Sequence, residues 1–191
     1  MIKKRLILAM TGASGQIYGI KLLHLLAENP EIETHLVISR AARITLAQET
    51  GTTPAKIEAL ADAVYRPEDI GAALASGSFA AHGMIVAPCS IKTLSGIAHS
   101  YNADLITRAA DVQLKEGRPL LLMVRETPLH LGHLRLMVQA AENGAIIFPP
   151  APTFYDHPQS LDDVITATAG RMLARLGIAN SAYRQWQGLK P

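Results

Sequence analysis

The sequence predicts an α/β protein in which one doubly wound parallel sheet lies between two layers of helices. Short apolar runs alternate with longer amphipathic segments, which is the pattern of parallel βαβ units. A glycine-rich segment, residues 11–15 (TGASG), directly follows the first apolar run and precedes an amphipathic one. In sheets of this kind, ligands bind at the carboxyl ends of the strands. The functional residues are therefore expected just after the apolar runs.

Five strands and six helices account for most of the chain. The predicted strands are residues 6–10, 33–38, 83–87, 119–124 and 145–148. The predicted helices are residues 16–27, 41–49, 93–98, 105–115, 132–143 and 162–176. Gly144 and Gly177 follow the last two helices at the position where glycine commonly ends a helix. Residues 51–81 are the hardest to assign, and Pro54, Pro67 and several small residues predict a short helix and loops there.

Composition and charge exclude several classes of protein. The 191 residues fit a single domain, which we assign to residues 1–178, followed by a tail at 179–191. A formal net charge of +2, without a basic run interleaved with aromatic residues, argues against nucleic-acid binding. No apolar run reaches the roughly 20 residues of a membrane span. The short N-terminal apolar run leads straight into the glycine-rich turn, which favours a buried strand over a secretion signal.

The cysteine and the histidines predict neither a disulfide nor a metal site. Cys89 is the single cysteine, so no internal disulfide forms, and a cytoplasmic location is expected. The seven histidines are scattered, and the pair His130 and His133 has no second pair to complete a ligand set. We therefore expect a protein without a metal centre.

The glycine-rich turn is the strongest local indication of a ligand. Its glycines allow a tight turn and a close approach of the backbone, Ser14 adds a hydroxyl donor, and the next helix begins with free N–H groups. The spacing Gly-x-x-Gly-x-x-x-Gly differs from the dinucleotide fingerprint, and the second strand ends at Ser39 rather than at an acid. A mononucleotide is favoured over NAD, and a plain glycine-rich turn remains the alternative.

Polar residues also follow the third and fourth predicted strands. Residues 90–93 (SIKT) offer hydroxyl donors in Ser90 and Thr93 and a cation in Lys92. Ser90 alternatively serves only as a helix cap, although capping and binding are compatible. At the end of the fourth strand, Arg125 stands beside Glu126, a phosphate-binding cation beside a carboxylate for acid–base chemistry, with a surface ion pair as the alternative.

A stiff loop at residues 149–155 (PPAPTFY) completes the set of candidate features. Its prolines lower the entropy cost of fixing the loop, and it carries the aromatic hydroxyl of Tyr155. We expect it to form a wall or a lid over the site.

Taken together, these segments resemble the UbiX-type flavin prenyltransferases, a family also known as aromatic acid decarboxylase subunits. The likeness covers nearly the whole chain. It rests on six motifs in a fixed order: TGASG (residues 11–15), PCS (88–90), RAADV (108–112), LKE (114–116), RETP (125–128) and FY (154–155).

The resemblance implies a Rossmann-like, flavodoxin-like fold that binds FMN. It implies transfer of a dimethylallyl group from dimethylallyl monophosphate to N5 and C6 of reduced FMN, without a metal. The prenylated FMN would then serve a UbiD-type decarboxylase. The family assembles as a homododecamer with sites at subunit junctions.

Site residues follow from the resemblance by motif position. The residues implied to line FMN are Gly12, Ala13, Ser14, Ser39, Ser90, Ile91, Lys92, Thr93 and Arg125. The residues implied to hold the prenyl phosphate are Lys115, Arg125, Tyr155 and Arg171, and Trp186 of the tail would close over the site. Glu49 and Glu126 would be the acid–base carboxylates, with Ser14 as a proton relay.

Two other functions share the same features. One is an FMN-dependent decarboxylase related to the cysteine-decarboxylating flavoproteins, which are expected to carry a catalytic histidine early in the chain. Here the segment after the first helix offers Ser39 and Glu49 instead. The other is an accessory FMN-carrying subunit of an aromatic acid decarboxylase, which would leave Lys115, Glu126 and Tyr155 without a role.

Overall fold

Six parallel strands form the centre of the computed structural model, which describes residues 3–188. The strands are β1 (Lys4–Met10), β2 (Ile32–Ile38), β3 (Ala63–Tyr65), β4 (Ala81–Cys89), β5 (Leu120–Val124) and β6 (Ile146–Ile147). The helices are α1 (Gln16–Ala27), α2 (Arg40–Thr50), α3 (Pro54–Glu58), α4 (Ile91–Ala98), α5 (Leu105–Lys115), α6 (Leu131–Glu142) and α7 (Leu161–Arg175).

The strand order creates a crevice at the centre of the sheet. Along the sheet the order is β3-β2-β1-β4-β5-β6, and all neighbouring strands pair in parallel. The chain therefore winds outward from β1 in one direction and outward from β4 in the other. The order reverses between β1 and β4, which is the topological switch point where ligands of such sheets bind. The doubly wound, flavodoxin-like prediction is confirmed.

Two hydrophobic cores lie on opposite faces of the sheet. Alternate residues of β1 supply both cores, since Leu6 and Leu8 pack on one face while Ile7 and Ala9 pack on the other. Helices α1, α2 and α7 cover the first face, and α4, α5 and α6 cover the second. The strands are apolar on both faces, as expected for a parallel sheet covered by helices.

The observed boundaries differ from the predicted ones mainly in one region. Residues 51–81 contain the predicted short helix, α3, but also the strand β3 and a 3₁₀ turn at Ala73–Ala75, which the sequence did not indicate. Strand β3 has only three residues and none of them is buried, so no buried apolar run marks it. Strand β4 continues through Pro88 to Cys89, two residues beyond the predicted end. Both predicted helix-terminating glycines have a positive φ, +105° at Gly144 and +70° at Gly177.

No helix within residues 3–188 combines the length and the hydropathy needed to cross a membrane.

Helix α1 packs against the sheet through a glycine. A Cβ added at Gly19 would lie 2.6 Å from the carbonyl oxygen of Ala87 and 2.7 Å from Cε of Met10. A methyl group at this position would push α1 away from the two strands that flank the crevice.

We therefore expect Gly19→Ala to lower the free energy of unfolding by about 1–3 kcal/mol, measured by urea denaturation. Gly71→Ala is the matched control, because its Cβ would have only an ordinary contact at 3.7 Å. The control should stay within about 0.5 kcal/mol of the parent. Equal stability of Gly19→Ala and the parent would contradict this packing.

Candidate functional site

A cleft of about 800 Å³ lies at the carboxyl edge of the sheet, over the switch point. Five separate segments of the chain line it: the turn after β1, the start of α2, the loop after β3, the start of α4 and the loop before α5. Its lining residues include Thr11, Gly12, Ser39, Arg40, Ser90, Lys92, Thr93 and Asp104. The structure thus brings together most of the residues that the sequence assigned to FMN.

Two helix N-termini point into this cleft. Ser39 caps α2, and its Oγ accepts a hydrogen bond from the Ala42 N–H at 3.1 Å. Ser90 caps α4, and its Oγ accepts from the Thr93 N–H at 3.3 Å and donates to Thr93 Oγ1 at 3.1 Å. Ser90 therefore caps α4, and this role is compatible with ligand binding. Capped N-termini carry a partial positive charge, so both helices favour an anion in the cleft.

Charged side chains stand around the same cleft. Ile91 and Lys92 are the first residues of α4, so the Lys92 cation adds to that helix terminus. Arg40, at the start of α2, forms an exposed ion pair with Glu68, with 2.5 Å between Nε and Oε1. The pKa of Glu68 is lowered by its own backbone N–H and by Arg40. Arg40 was not among the predicted site residues, although it directly follows Ser39.

The turn after β1 packs tightly on α2. A Cβ at Gly12 would lie 2.5 Å from Cβ of Ala41, so only glycine fits without displacing α2. The carbonyl oxygen of Ala13 accepts a hydrogen bond from Nε2 of Gln16 at 2.8 Å. These contacts hold the turn at the mouth of the cleft.

The first N–H groups of α1 are already occupied by a carboxylate. Oε2 of Glu49 accepts hydrogen bonds from the N–H of Gly15 at 2.9 Å and of Gln16 at 3.0 Å. The expectation that α1 offers free N–H groups to a phosphate is therefore wrong for these two residues. The reason is physical: the partial positive charge of the helix terminus attracts an anion, and Glu49 at the end of α2 supplies it.

The environment keeps Glu49 ionised. Burial alone would raise the pKa of its carboxyl group. Hydrogen bonds from the Ser14 hydroxyl and from the Gln16 and Gly15 N–H groups, with the charge of Arg125, outweigh burial and lower this pKa below its ordinary value of 4.5. Glu49 is therefore a carboxylate at neutral pH.

Arg125 lies against the same turn. A Cβ at Gly15, whose φ is +101°, would lie 2.8 Å from Cδ of Arg125 and 3.3 Å from Cδ2 of Tyr18. Burial raises the pKa of the Tyr18 hydroxyl, and the charge of Arg125 opposes that rise. Gly15 thus leaves room for the Arg125 side chain to cross the start of α1 next to Tyr18.

A second cavity of about 550 Å³ opens beside Arg125. Ser14, Glu49 and Arg125 form its polar end. Its apolar wall includes Ile17, Tyr18, Ile20, Leu161 and Ile165. The arrangement suits a small molecule with an anionic end and an apolar end.

Glu126 is exposed, and its Oε1 accepts a hydrogen bond from the Thr127 N–H at 2.9 Å. The residue follows Arg125 at the carboxyl end of β5, as the sequence indicates.

The C-terminal tail reaches the proline-rich loop. The rings of Tyr155 and Trp186 meet edge to face, with 5.1 Å between their centroids, and each residue remains about half exposed. The guanidinium of Arg171 lies 6.0 Å from the centre of the Phe148 ring, near Tyr183 of the tail. The tail therefore contacts the loop, and that it closes over the site stays a prediction. Residues 189–191 lie outside the described residues.

Lys115 lies near the amino ends of the strands, whereas Arg125 lies at their carboxyl ends. It ends α5, forms an ion pair with Glu116, and its Nζ would lie 2.7 Å from a Cβ at Gly77, in the segment before β4. Arg125 instead follows the carboxyl end of β5, a strand about 16 Å long at 3.3 Å per residue. Within one chain, therefore, Lys115 is separated from Arg125.

Within residues 3–188 no three histidine, cysteine or acidic side chains form a group that could hold a metal ion. Burial raises the pKa of the Cys89 thiol to about 12, so this cysteine stays protonated and is a poor nucleophile.

The capping role of Glu49 predicts a pH-dependent contribution to stability. Because its pKa is lowered in the folded state, the stabilisation is present above pH 4.5 and is lost as the pH falls through the folded-state pKa. We expect Glu49→Gln to lower the melting temperature at neutral pH, and the difference from the parent to shrink below pH 4.5.

Glu28→Gln is the control, because Glu28 lies at the other end of α1, where a carboxylate is unfavourable. This variant should melt at or above the parental temperature. A Glu49→Gln variant as stable as the parent at neutral pH would show that the carboxylate does not hold α1.

Comparison with known proteins identifies the family of this chain. The sequence profile of the Flavoprotein family matches residues 1–168. The flavin prenyltransferase UbiX of Escherichia coli K12 is 58% identical over 187 residues, covering 97% of this chain and 99% of the relative.

Solved structures show the same fold. The crystal structure of AnUbiX in complex with FMN and dimethylallyl pyrophosphate has a TM-score of 0.94 and 45% identity, covering 98% of this chain and all of that chain. A dodecameric FMN-dependent UbiX-like decarboxylase from Escherichia coli O157:H7 has a TM-score of 0.93 and 45% identity, covering 97% of this chain and all of that chain. The chain therefore belongs to the Flavoprotein family and, within it, to the UbiX flavin prenyltransferases.

Proposed function

We propose that this flavin prenyltransferase transfers a dimethylallyl group from dimethylallyl monophosphate to N5 and C6 of reduced FMN. The observation that carries the proposal is that the turn after β1 lines two cavities, with Thr11 and Gly12 in one and Ser14 and Gly15 in the other. One offers two capped helix N-termini and Lys92 to an anion, and the other places Arg125, Glu49 and Ser14 beside an apolar wall.

The larger cleft suits FMN in size and in chemistry. Its volume of about 800 Å³ lies within the usual range for cofactor sites. Hydroxyl groups of Ser39, Ser90 and Thr93, together with Lys92, would hold the phosphate, and Gly12, Ala13 and Ser14 would line the entry to the ring. Reduced FMN supplies the nucleophilic nitrogen and carbon when it is bound.

The second cavity suits the prenyl donor. Its apolar wall of Ile17, Tyr18 and Ile165 would shelter the dimethylallyl group from water, while Arg125 faces the departing phosphate. Without a metal, protein cations must stabilise the charge that develops on this phosphate, and losing one such group costs about 3–4 kcal/mol in the barrier. Arg125, Lys115, Arg171 and the Tyr155 hydroxyl are the groups that we assign to this role.

The two carboxylates divide the proton transfers between them. Because Glu49 is held ionised, we assign it the role of proton acceptor, with the Ser14 hydroxyl as the relay. Glu126 is assigned as the second acid–base carboxylate. Tyr155 and Trp186, in edge-to-face contact, would close the site, and their rings would stabilise cationic character in the allylic group.

Assembly would bring Lys115 to the site. Since Lys115 and Arg125 lie at opposite ends of the strands within one subunit, they can act on one phosphate only if Lys115 comes from a neighbouring copy. A homododecamer, as in the Escherichia coli O157:H7 relative, would allow this. Helix α6 offers a surface for such contacts, because Leu131, Leu134 and Val138 form an exposed apolar stripe.

The proposal extends to the partners of the reaction. The product would pass to a UbiD-type decarboxylase. We further propose a cytoplasmic location, which suits the buried free thiol of Cys89. The AnUbiX complex contains the pyrophosphate form of the donor, so both donors belong in the test.

Anaerobic incubation with reduced FMN and each dimethylallyl phosphate, followed by mass analysis of the flavin, tests the activity. We expect a mass gain of one five-carbon unit with the monophosphate. Unchanged flavin with loss of carboxylate from an aromatic or cysteine substrate would indicate a decarboxylase instead. Unchanged flavin without any turnover would indicate an accessory subunit.

Mixed oligomers test whether Lys115 acts across subunits. Lys115→Ala and Arg125→Ala, each alone, should lose most of the prenylation rate. Co-expression of the two variants with different affinity tags should restore activity, because about a quarter of the sites in random mixed assemblies then carry both wild-type residues. Mixed oligomers as inactive as either variant would mean that the two residues act within one chain. Parental activity of Lys115→Ala alone would remove Lys115 from the site.

A further inference from the structure

Strands β1 and β4 separate at the switch point, and one hydroxyl group bridges the gap. The ladder between these strands runs from Arg5 to Ala9 on β1 and ends at Val86 on β4. Beyond Val86 the register of β4 also shifts against β5. The backbone groups of β4 past this point have lost their ladder partners on β1 and need others.

Thr11 supplies those partners. Its Oγ1 donates a hydrogen bond to the carbonyl oxygen of Pro88 at 2.8 Å and accepts one from the Ser90 N–H at 2.8 Å. Its own N–H also donates to the Pro88 carbonyl, at 3.1 Å. Thr11 is only 1% exposed, so its bond to the Pro88 carbonyl is shielded from water, while the bond from the Ser90 N–H is partly buried.

The hydrogen bonds extend in both directions from Thr11. Nε2 of Gln16, which is fully buried, donates to the carbonyl oxygens of Thr11 at 2.7 Å and Ala13 at 2.8 Å. On the other side, Ser90 is bonded to Thr93 through its side chain. A continuous chain of hydrogen bonds thus runs from the start of α1 to the start of α4.

We propose that Thr11 is a positioning residue that fixes the distance between the turn at residues 12–14 and the start of α4. This inference rests on the proposed function, since both segments are assigned to FMN. The ladder between β1 and β4 ends before these two segments, so it does not fix their distance. The glycine and alanine residues of the turn have no polar side chain that could do so. The Thr11 hydroxyl links the two segments directly, beside the backbone bond from the Thr11 N–H to the Pro88 carbonyl, and it alone reaches the Ser90 N–H.

The bridge affects the phosphate end of the cofactor more than the ring. Ser90 and Thr93 at the start of α4 are the groups assigned to the phosphate, and the Ser90 N–H is bonded to Thr11. A shift of α4 would therefore weaken the binding of FMN more than the binding of riboflavin, which lacks the phosphate. A purely structural defect would lower the affinity for both ligands alike.

Thr11→Val tests the inference, because it replaces the hydroxyl by a methyl group of nearly the same shape. We expect the dissociation constant of FMN, measured by quenching of flavin fluorescence, to rise about ten- to hundredfold, since the partly buried Ser90 N–H and the buried Pro88 carbonyl each lose a partner. The FMN-to-riboflavin affinity ratio should fall towards one. Thr11→Ser keeps the hydroxyl and should restore the parental ratio.

Thr34→Val is the matched control, since Thr34 is also 1% exposed but lies near the amino end of β2. It should keep the parental ratio even if it lowers the melting temperature. If Thr11→Val does not fold, Thr11→Cys, which keeps only a weak donor and acceptor, gives the same comparison and should show an intermediate ratio.

The outcomes separate the two proposals. A parental protein that does not bind FMN would overturn the proposed function and this inference with it. A parental protein that binds FMN, with a folded Thr11→Val or Thr11→Cys variant of unchanged affinity ratio, would overturn the role of Thr11 alone. An equal loss of affinity for FMN and for riboflavin would also overturn it.

Discussion

The separation of β1 and β4 at the centre of the sheet is the constraint on which the site depends. Where two parallel strands stop pairing, their backbone groups need new partners, and the helices that follow them leave in opposite directions. This opens a cleft into which the N-termini of α2 and α4 point. The hydroxyl and cationic groups of residues 90–93 and Ser39 reach one cleft because the topology delivers them there.

Two anions, the Glu49 carboxylate and the FMN phosphate, must be accommodated at the carboxyl ends of the strands. Glu49 occupies the start of α1, while the starts of α2 and α4 remain directed at the larger cleft. The Glu49 carboxylate, held at the start of α1, repels the FMN phosphate from that place and favours its binding on the other side of the crevice, near Lys92. The same carboxylate lies beside Arg125 and Ser14, so one charge both anchors a helix and serves the proposed proton transfers.

The sequence predicted the fold because apolar runs and helix-terminating glycines are patterns of residues that are neighbours in the chain. It missed β3, whose three residues show no alternation, and it missed the contacts of Glu49 and Thr11. Gly15 and Glu49 are 34 residues apart, and Thr11 and Ser90 are 79 apart, so no local pattern marks either pair. The position of Lys115 was accessible in principle. A residue that ends the helix before a strand lies at the amino edge of a parallel sheet, away from residues such as Arg125.

A crystal structure of the protein with FMN tests the central claim most directly, because it locates the phosphate relative to Glu49. The account predicts the phosphate at the start of α4, within hydrogen-bonding distance of Ser90 or Thr93, with Glu49 still bonded to the Gly15 and Gln16 N–H groups. A phosphate bound to those two N–H groups, with Glu49 displaced, would contradict it.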